Sequence, residues 1–119
     1  MRKVVITGAR NFNSYKDLSA KLKELLKQDD LVITGNAQGV DAIAELFCKH
    51  NGIQNIKCLA NWEGQGKQAG GIRNTLMLTL FAVDQVYAFP SSISRGTWDC
   101  VNKAKERNIS VLVTGVDNL

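Results

Sequence analysis

The sequence lacks an apolar run long enough to cross a bilayer. Its longest apolar stretch, residues 76–83, is interrupted by Thr79, whereas a transmembrane helix needs roughly 20 predominantly apolar residues. The N-terminal residues 1–8 place basic side chains before an apolar run, but that run is shorter than the core of a signal peptide. We therefore expect a cytoplasmic protein without a membrane partner, whose N-terminus forms a first β-strand.

Cysteine and histidine are also scarce. Three cysteines, Cys48, Cys58 and Cys100, are an odd number with no C-x-x-C spacing, which favours neither a disulfide framework nor a zinc site. The one histidine, His50, lies beside Cys48 on a predicted helix and makes a poor metal pair with it. We expect buried free thiols and no metal.

Size and composition are ordinary for a globular protein. The 119 residues are 45% apolar and 22% charged, which fits one hydrophobic core and so a single domain over residues 1–119. The formal net charge of +4 permits attraction to phosphates or nucleic acid without requiring it. Most lysines follow the solvated faces of two predicted helices, so the charge is only a weak hint.

Strand and helix patterns alternate along the chain. Apolar runs rich in β-branched residues predict strands at residues 3–7, 31–34, 53–60, 84–89 and 109–113. Helical spacing predicts helices at about residues 15–26, 40–47, 68–81 and 97–107, with a capping box at Ser14 and Asp17 and a stop at Asn108. This order is typical of an α/β, Rossmann-like three-layer domain, in which a five-stranded, mainly parallel sheet carries helices on both faces.

The loops after the strands are rich in glycine and polar residues. In such a sheet, ligands bind outside the carboxyl ends of the strands. The segment Gly35-x-Ala37-x-Gly39-x-Asp41 opens a helix with small residues, so that backbone N–H groups and the helix dipole face an anion. The alternative, that the glycines only form a tight turn and Asp41 only caps the helix, remains open at this point.

Several side chains near these loops suit a phosphate-bearing ligand. Arg95, Gly96 and Thr97 repeat the strand-to-helix arrangement after the fourth strand, with Thr97 able to cap the helix or donate to phosphate. The first loop adds Arg10 for phosphate or carboxylate and Asn11 for ribose or base. Arg73 and Asn74 are polar interruptions early in an otherwise apolar helix, and Trp62 can stack on a base or cover the core.

Four ordered motifs resemble the SLOG superfamily, which joins the Smf/DprA DNA-processing proteins with the LOG phosphoribohydrolases. They are residues 8–10, 35–41, 69–74 with Met77, and 89–90 followed by 96–97. Within this superfamily the chain is most similar to the small YspA/YpsA-related members. The resemblance implies a Rossmann-like fold that binds nucleotides or their derivatives. Together with the loops, it predicts a ligand site of Gly8, Ala9, Arg10, Asn11, Gly35, Asn36, Ala37, Gly39, Asp41, Trp62, Lys67, Arg73, Asn74, Pro90, Arg95, Gly96 and Thr97.

The resemblance leaves catalysis open. In LOG enzymes an arginine four residues before a methionine acts with a glutamate after a glycine-rich motif in N-glycosidic cleavage. Arg73 and Met77 match the first part, whereas Cys100 occupies the position of the glutamate. Asp99 is adjacent but lies about 100° away around a helix. Arg73, Asp99 and Asp41 are therefore the catalytic candidates if the chain is an enzyme.

The leading expectation is a module that binds a nucleotide or nucleotide-derived ligand of the ADP-ribose or NAD type and senses or sequesters it, without a cofactor. One alternative is an N-glycosidic hydrolase or transferase acting on nucleotides. Another is single-stranded DNA binding, in which Trp62 or Trp98 stacks on bases.

Assembly is predicted from the third long helix. Residues 76–83 are apolar around most of this helix, which favours a homodimer that buries the surplus face. The alternative is that the run merely passes from the buried end of the helix into the fourth strand.

Overall fold

The computed structural model describes residues 1–119 as an alternation of strands and helices. The strands are β1 (Lys3–Gly8), β2 (Leu31–Thr34), β3 (Gln54–Lys57), β4 (Gln85–Phe89) and β5 (Ser110–Val113). The helices are α1 (Tyr15–Leu25), α2 (Val40–Asn51), α3 (Trp62–Gln65), α4 (Ala69–Leu80) and α5 (Arg95–Glu106). Short 3₁₀ turns occupy Gly66–Gln68 and Val116–Asn118.

The five strands form one sheet in the order β3-β2-β1-β4-β5, and every neighbouring pair is parallel. The chain proceeds from β1 outward to β3, crosses to β4 on the other side of β1, and continues to β5. Strand order therefore reverses between β1 and β4, and their carboxyl ends flank the point where ligands bind in sheets of this kind. The predicted Rossmann-like α/β fold is confirmed.

Two apolar clusters cover the two faces of the sheet. Val4 and Ile6 of β1 point to the face covered by α1 and α2, and Val5 points to the face covered by α4 and α5. Successive residues alternate between faces because side chains along a strand have a period of two. Both faces of the central strands are buried, as the strongly apolar strand sequences indicated.

Local signals at the helix ends are mostly confirmed. The Ser14 side chain accepts a hydrogen bond from the Asp17 N–H at 3.3 Å and caps α1. Asn108, with a φ of 58°, adopts the left-handed conformation just after α5. However, α5 begins at Arg95, two residues earlier than predicted, with Ser94 at the cap position instead of Thr97. The short helix α3, capped by Asn61, was not predicted from the sequence.

An ion pair closes the amino end of the sheet. The Arg2 guanidinium donates to both oxygens of Asp30, from Nη2 at 2.7 Å and from Nε at 3.1 Å, and also to the Leu25 carbonyl. Burial by itself would raise the pKa of Asp30, but hydrogen bonds from Arg2 and from the Lys27 N–H hold that pKa below its ordinary value. The contacts of Arg2 therefore join the N-terminus to the segment before β2 at this end of the sheet.

The three cysteines are unpaired, and Cys48 and Cys100 are buried. Burial raises the pKa of Cys48 to about 11 and the pKa of Cys100 to about 12, so both side chains stay protonated near neutral pH and behave as small apolar groups. None of the helices combines the length and the apolar character that crossing a membrane requires.

Candidate functional site

A cavity of about 350 Å³ opens between the loops that follow β1 and β4. It lies at the reversal of strand order, where the fold leaves a crevice at the carboxyl edge. Ala37 and Ile93 are its only apolar lining side chains. The lining residues are Thr7, Gly8, Arg10, Asn11, Ala37, Asp41, Arg73, Ser91, Ile93, Ser94, Arg95, Gly96 and Thr97.

A second, shallower groove of about 590 Å³ adjoins the cavity. The two share Arg10, Arg73, Arg95 and Gly96, so the three arginines stand at their junction. The groove continues along the start of α4 and is bordered by Trp62, Lys67, Gln68, Gly70, Gly71, Ile72, Asn74, Thr75, Asp99 and Lys103.

Two glycines allow the loops around the cavity to pack closely. A Cβ on Gly8 would lie 2.7 Å from the Phe89 carbonyl oxygen, and a Cβ on Gly39 would lie 2.1 Å from the Ala9 carbonyl oxygen. Gly39 also has a φ of 74°, which favours glycine. The Val40 N–H donates to the same Ala9 carbonyl at 3.0 Å and fixes the start of α2 against the β1 loop.

The Asp41 carboxylate organises the loop after β2. Its Oδ2 accepts hydrogen bonds from the N–H groups of Gly35 at 3.1 Å and Ala37 at 3.2 Å. These two N–H groups, which the sequence analysis offered to an anion, are thus bonded to Asp41. Burial raises the pKa of Asp41 to about 6, although these hydrogen bonds and the positive charge of Arg73 oppose the rise.

The Arg73 side chain extends from α4 to the loop after β2. Its Nη1 donates to the Gly35 carbonyl at 2.7 Å, and its Nε donates to Oδ1 of Asn74 at 3.0 Å. The guanidinium fills the space beside Gly35, because a Cβ there would lie 2.4 Å from Nη1. A larger residue at position 35 would therefore collide with Arg73. The two hydrogen bonds hold the guanidinium in one orientation.

Asn74 links this arginine to α5. Its Nδ2 donates to the Gly96 carbonyl at 3.1 Å and to Oδ2 of Asp99 at 3.0 Å. Asp99 also pairs with Lys103 at 3.0 Å. The carboxylate next to the LOG glutamate position is thus engaged in structural contacts, and Cys100, which occupies that position, is buried beneath α5.

Trp62 lies over the groove on α3, with half of its surface exposed. The centre of the Arg10 guanidinium is 5.8 Å from the centre of the Trp62 ring, within the range of a cation–π interaction. The ring edge also contacts the start of α4, since a Cβ on Gly70 would lie 3.3 Å from it. Trp62 therefore borders the groove, which is the position that the predicted stacking on a base requires.

The structure brings most predicted ligand residues together, with some exceptions. Ala9 and Pro90 are buried beneath their loops, and Gly35 and Gly39 serve the packing described above. Asn36 is exposed in a left-handed conformation and lies outside both concave regions.

Some lining residues were not among the predicted site residues. The cavity adds Thr7, Ser91, Ile93 and Ser94. The Ser94 hydroxyl accepts a hydrogen bond from the Ser91 N–H at 2.8 Å. The Ser-x-x-Ser spacing after Pro90 was the signal for this hydroxyl-bonded turn.

Two comparisons of the sequence found similar proteins. Residues 2–64 match the YAcAr family, described as the YspA, cpYpsA-related SLOG family. The chain is also 33% identical over 123 residues to the Gene 61 protein of Mycobacterium phage D29, covering 97% of this chain and 98% of that protein.

Two solved structures share the fold. DNA processing protein A (DprA) from Streptococcus pneumoniae superimposes with a TM-score of 0.76 at 17% identity, over 95% of this chain and 50% of that one. The protein TM1055 superimposes with a TM-score of 0.68 at 18% identity, over 93% of this chain and 72% of that one. The chain thus spans half the length of DprA. On the family match and the phage relative together, the chain belongs to the YspA, cpYpsA-related SLOG family, as its ordered motifs predicted.

Proposed function

We propose that the protein binds a nucleotide or nucleotide-derived small molecule, of the ADP-ribose or NAD type, in the cavity between the β1 and β4 loops. It acts there as a sensor or a sequestering module. The observation that carries the proposal is the convergence of Arg10, Arg73 and Arg95 on a cavity lined by one carboxylate, Asp41. Three guanidinium groups against one carboxylate favour an anionic ligand, and arginine suits phosphate because its donors form a planar fork.

Preorganisation supports binding at this position. Arg73 is buried and anchored by hydrogen bonds to Gly35 and Asn74, so little side-chain freedom remains to be lost when a ligand arrives. Hydroxyl groups of Thr7, Ser91 and Thr97 line the same cavity and offer neutral donors and acceptors to a sugar.

Titration calorimetry against AMP, NAD and ADP-ribose tests the proposal. Arg95→Gln removes an exposed charge at the cavity mouth, and Arg107→Gln removes an exposed charge at the far end of the same helix. We expect at least about tenfold weaker binding for Arg95→Gln, since a charge-assisted hydrogen bond contributes roughly 1.5–3 kcal/mol. Arg107→Gln is expected to bind like the wild type.

Absence of binding at millimolar concentrations of all three ligands would refute the proposal. A mobility-shift assay with single-stranded DNA provides the comparison with the nucleic-acid alternative. Nanomolar, salt-sensitive DNA binding would instead favour DNA as the partner.

A second candidate is cleavage or transfer at an N-glycosidic bond, and the position of Asp41 favours it. This carboxylate shares the cavity with Arg73, and in this candidate function it stabilises positive charge on a ribose while Arg73 holds a phosphate. Incubation with nucleoside monophosphates, followed by chromatography for free base, separates the two candidates because a binding module releases none. Loss of turnover in Asp41→Asn but not in Asp99→Asn would assign the carboxylate.

We also propose a homodimer formed through α4. Leu76 and Leu80 are 41% and 67% exposed and lie four residues apart on one stripe of the helix. Met77 and Leu78, by contrast, are buried in the core, so substitution there would disturb the fold itself. Ile56 of β3 is also partly exposed on the sheet face that α4 covers. We propose that a second copy of the chain buries these side chains, because a symmetric dimer is the commonest assembly.

Light scattering at micromolar concentration tests the dimer. We expect twice the monomer mass for the wild type and the monomer mass for Leu80→Glu. Leu112→Glu is the matched control, since Leu112 is an exposed leucine on β5 whose neighbour Tyr87 faces the opposite side of the sheet. A monomeric wild type would end this proposal without affecting the ligand proposal.

A further inference from the structure

One oxygen of the Asp41 carboxylate has no partner in the protein. Both hydrogen bonds to this carboxylate, from Gly35 and Ala37, go to Oδ2. Every fully buried polar side-chain atom in the structure does have a partner. The other oxygen, Oδ1, must therefore reach the cavity that Asp41 lines, although only 5% of the residue is exposed.

Two further buried side chains present an unpartnered atom in the same way. Arg73 is 8% exposed and uses Nε and Nη1 internally, which leaves Nη2 without a partner. Thr97 is 4% exposed, and its side-chain hydroxyl has no hydrogen-bond partner at the start of α5. Both residues line the cavity. A carboxylate oxygen, a guanidinium nitrogen and a hydroxyl, all from buried residues that line one recess, are thus without a partner in the protein.

Asp41 and Arg73 are buried charges of opposite sign, but they do not pair. The closest nitrogen and oxygen of the two side chains are more than 4.0 Å apart, since they form none of the ion pairs of the structure. Their backbone partners, Gly35 and Ala37 for the carboxylate and Gly35 for the guanidinium, hold them in these positions. A group bound between them can therefore contact both.

The charges around the cavity limit which chemical group of a ligand can contact Oδ1 of Asp41. A carboxylate oxygen accepts hydrogen bonds and repels a phosphate, so the contacting group is a donor. A cationic donor is disfavoured because Arg10, Arg73 and Arg95 line the same recess. Neutral donors remain, either a hydroxyl or an N–H group, on a molecule whose anionic part satisfies the arginines. A ribose carrying a phosphate combines a neutral hydroxyl donor and an anionic group in one molecule.

We propose that Asp41 is a specificity-determining residue that accepts a hydrogen bond from a ribose hydroxyl through Oδ1, while Arg73 contacts the phosphate of the same ligand. The inference rests on the proposed function and defines its ligand class further. It assigns the site to ribonucleotides in preference to their deoxyribose counterparts. A site that recognised the phosphate alone would not make this distinction.

The test compares AMP with its 2′-deoxy and 3′-deoxy analogues on the wild-type protein by calorimetry. We expect at least one analogue to bind at least about tenfold more weakly than AMP, because the hydrogen bond that is lost involves a charged partner. Equal affinity for all three nucleotides would overturn the inference and leave the proposed function standing. AMP failing to bind a protein that does bind ADP-ribose would overturn it as well.

The pH dependence of this preference provides a second readout on the wild type. Burial raises the pKa of Asp41 to about 6, so the preference for AMP over the weaker analogue should be full at pH 8 and should shrink at pH 5. The titratable and charged groups that face Asp41 are Glu45 on its own helix, Arg73 on α4, Arg10 after β1, and Arg95 and the protonated Cys100 on α5. Comparing the ratio of two affinities removes the titration of the phosphate, which both ligands share.

Asp41→Asn tests the residue directly. The asparagine carbonyl retains an acceptor for the N–H groups of Gly35 and Ala37, while an NH₂ group replaces Oδ1 and cannot accept from a hydroxyl. We expect the ribose preference to fall to less than about threefold and to lose its pH dependence, against the tenfold derived above for the charged acceptor. Asp29→Asn, an exposed carboxylate before β2 at the other end of the sheet, is the control and should keep the preference.

An unchanged, pH-dependent preference in a folded Asp41→Asn protein would refute the assignment. If that variant does not fold, the wild-type comparison of AMP with its analogues still decides. Absence of binding by every nucleotide, including ADP-ribose, would instead refute the proposed function from which the inference starts.

Discussion

Replacing Asp41 with asparagine should stabilise the protein without ligand at neutral and alkaline pH. The carboxylate is buried beside the cavity, and burial raises its pKa from the ordinary 3.8 to about 6. Hydrogen bonds from Gly35 and Ala37 and the charge of Arg73 only partly compensate. Ionised Asp41 therefore carries a desolvation penalty in the folded protein, which an uncharged amide of the same shape avoids.

The magnitude follows from linkage between protonation and folding. A rise from 3.8 to about 6 corresponds to about 3 kcal/mol, because one pKa unit is worth about 1.4 kcal/mol. Because the pKa of Asp41 is higher in the folded state, the folded protein holds this proton more tightly. The stability that the protonated Asp41 contributes is therefore fully present below pH 3.8 and is lost as the pH rises toward 6. Above pH 6 this contribution no longer changes with pH.

Urea unfolding of the wild type and of Asp41→Asn between pH 4 and pH 8, in buffers without phosphate, measures the effect. The free energy of unfolding of the variant relative to the wild type should rise by about 2.5 kcal/mol over this range, because a small part of the full effect is already present at pH 4. For a domain of this size, that corresponds to a difference on the order of 10 °C in Tm at pH 8. Asp29→Asn should show no comparable pH dependence, since that side chain is exposed.

A difference between wild type and Asp41→Asn that stays constant from pH 4 to pH 8 would refute the reasoning. It would mean that Asp41 titrates normally and that its environment is more solvated than its burial indicates. Less stability in the variant only at pH 8 would show that the ionised carboxylate stabilises the loop more than burial destabilises it. Either result would also remove the physical basis for the pH-dependent ribose preference.

Further predictions concern residues that hold the frame of the site. Gly39→Ala should destabilise the protein by more than about 2 kcal/mol in urea unfolding, because its φ of 74° and the Ala9 carbonyl both oppose a Cβ. Gly96→Ala, with no atom within 4 Å of its Cβ and a position inside α5, should instead be neutral or stabilise by up to about 1 kcal/mol; a loss like that of Gly39→Ala would contradict the packing argument. Asp30→Asn should cost about 2–3 kcal/mol at pH 7 because it weakens the pairing with Arg2. Its effect should shrink as the pH falls through the lowered pKa of Asp30, and a pH-independent loss would refute the ion-pair explanation.

The sequence by itself determined the class of fold and the family. Strand runs such as Val4–Ile6 are apolar on both faces, and helical periods separate them, so a parallel sheet covered on both sides was the consistent solution. It also predicted which edge of the sheet carries the candidate site. Arg10 follows a strand, Arg73 lies early in a helix and Arg95 precedes the next predicted helix. In a parallel sheet all such positions are near the carboxyl edge. These conclusions need only local patterns and the handedness of crossover connections.

Tertiary structure decided how individual atoms at that edge are used. The order β3-β2-β1-β4-β5 places the cavity between β1 and β4, and no local pattern specifies which strands are neighbours. The Arg73 guanidinium bonds to a carbonyl 38 residues away, at Gly35. Asp41 takes two backbone N–H groups that the glycine pattern offered to a ligand. A buried polar atom bonds to whichever partner the fold brings within reach, and that choice depends on packing across the whole sheet.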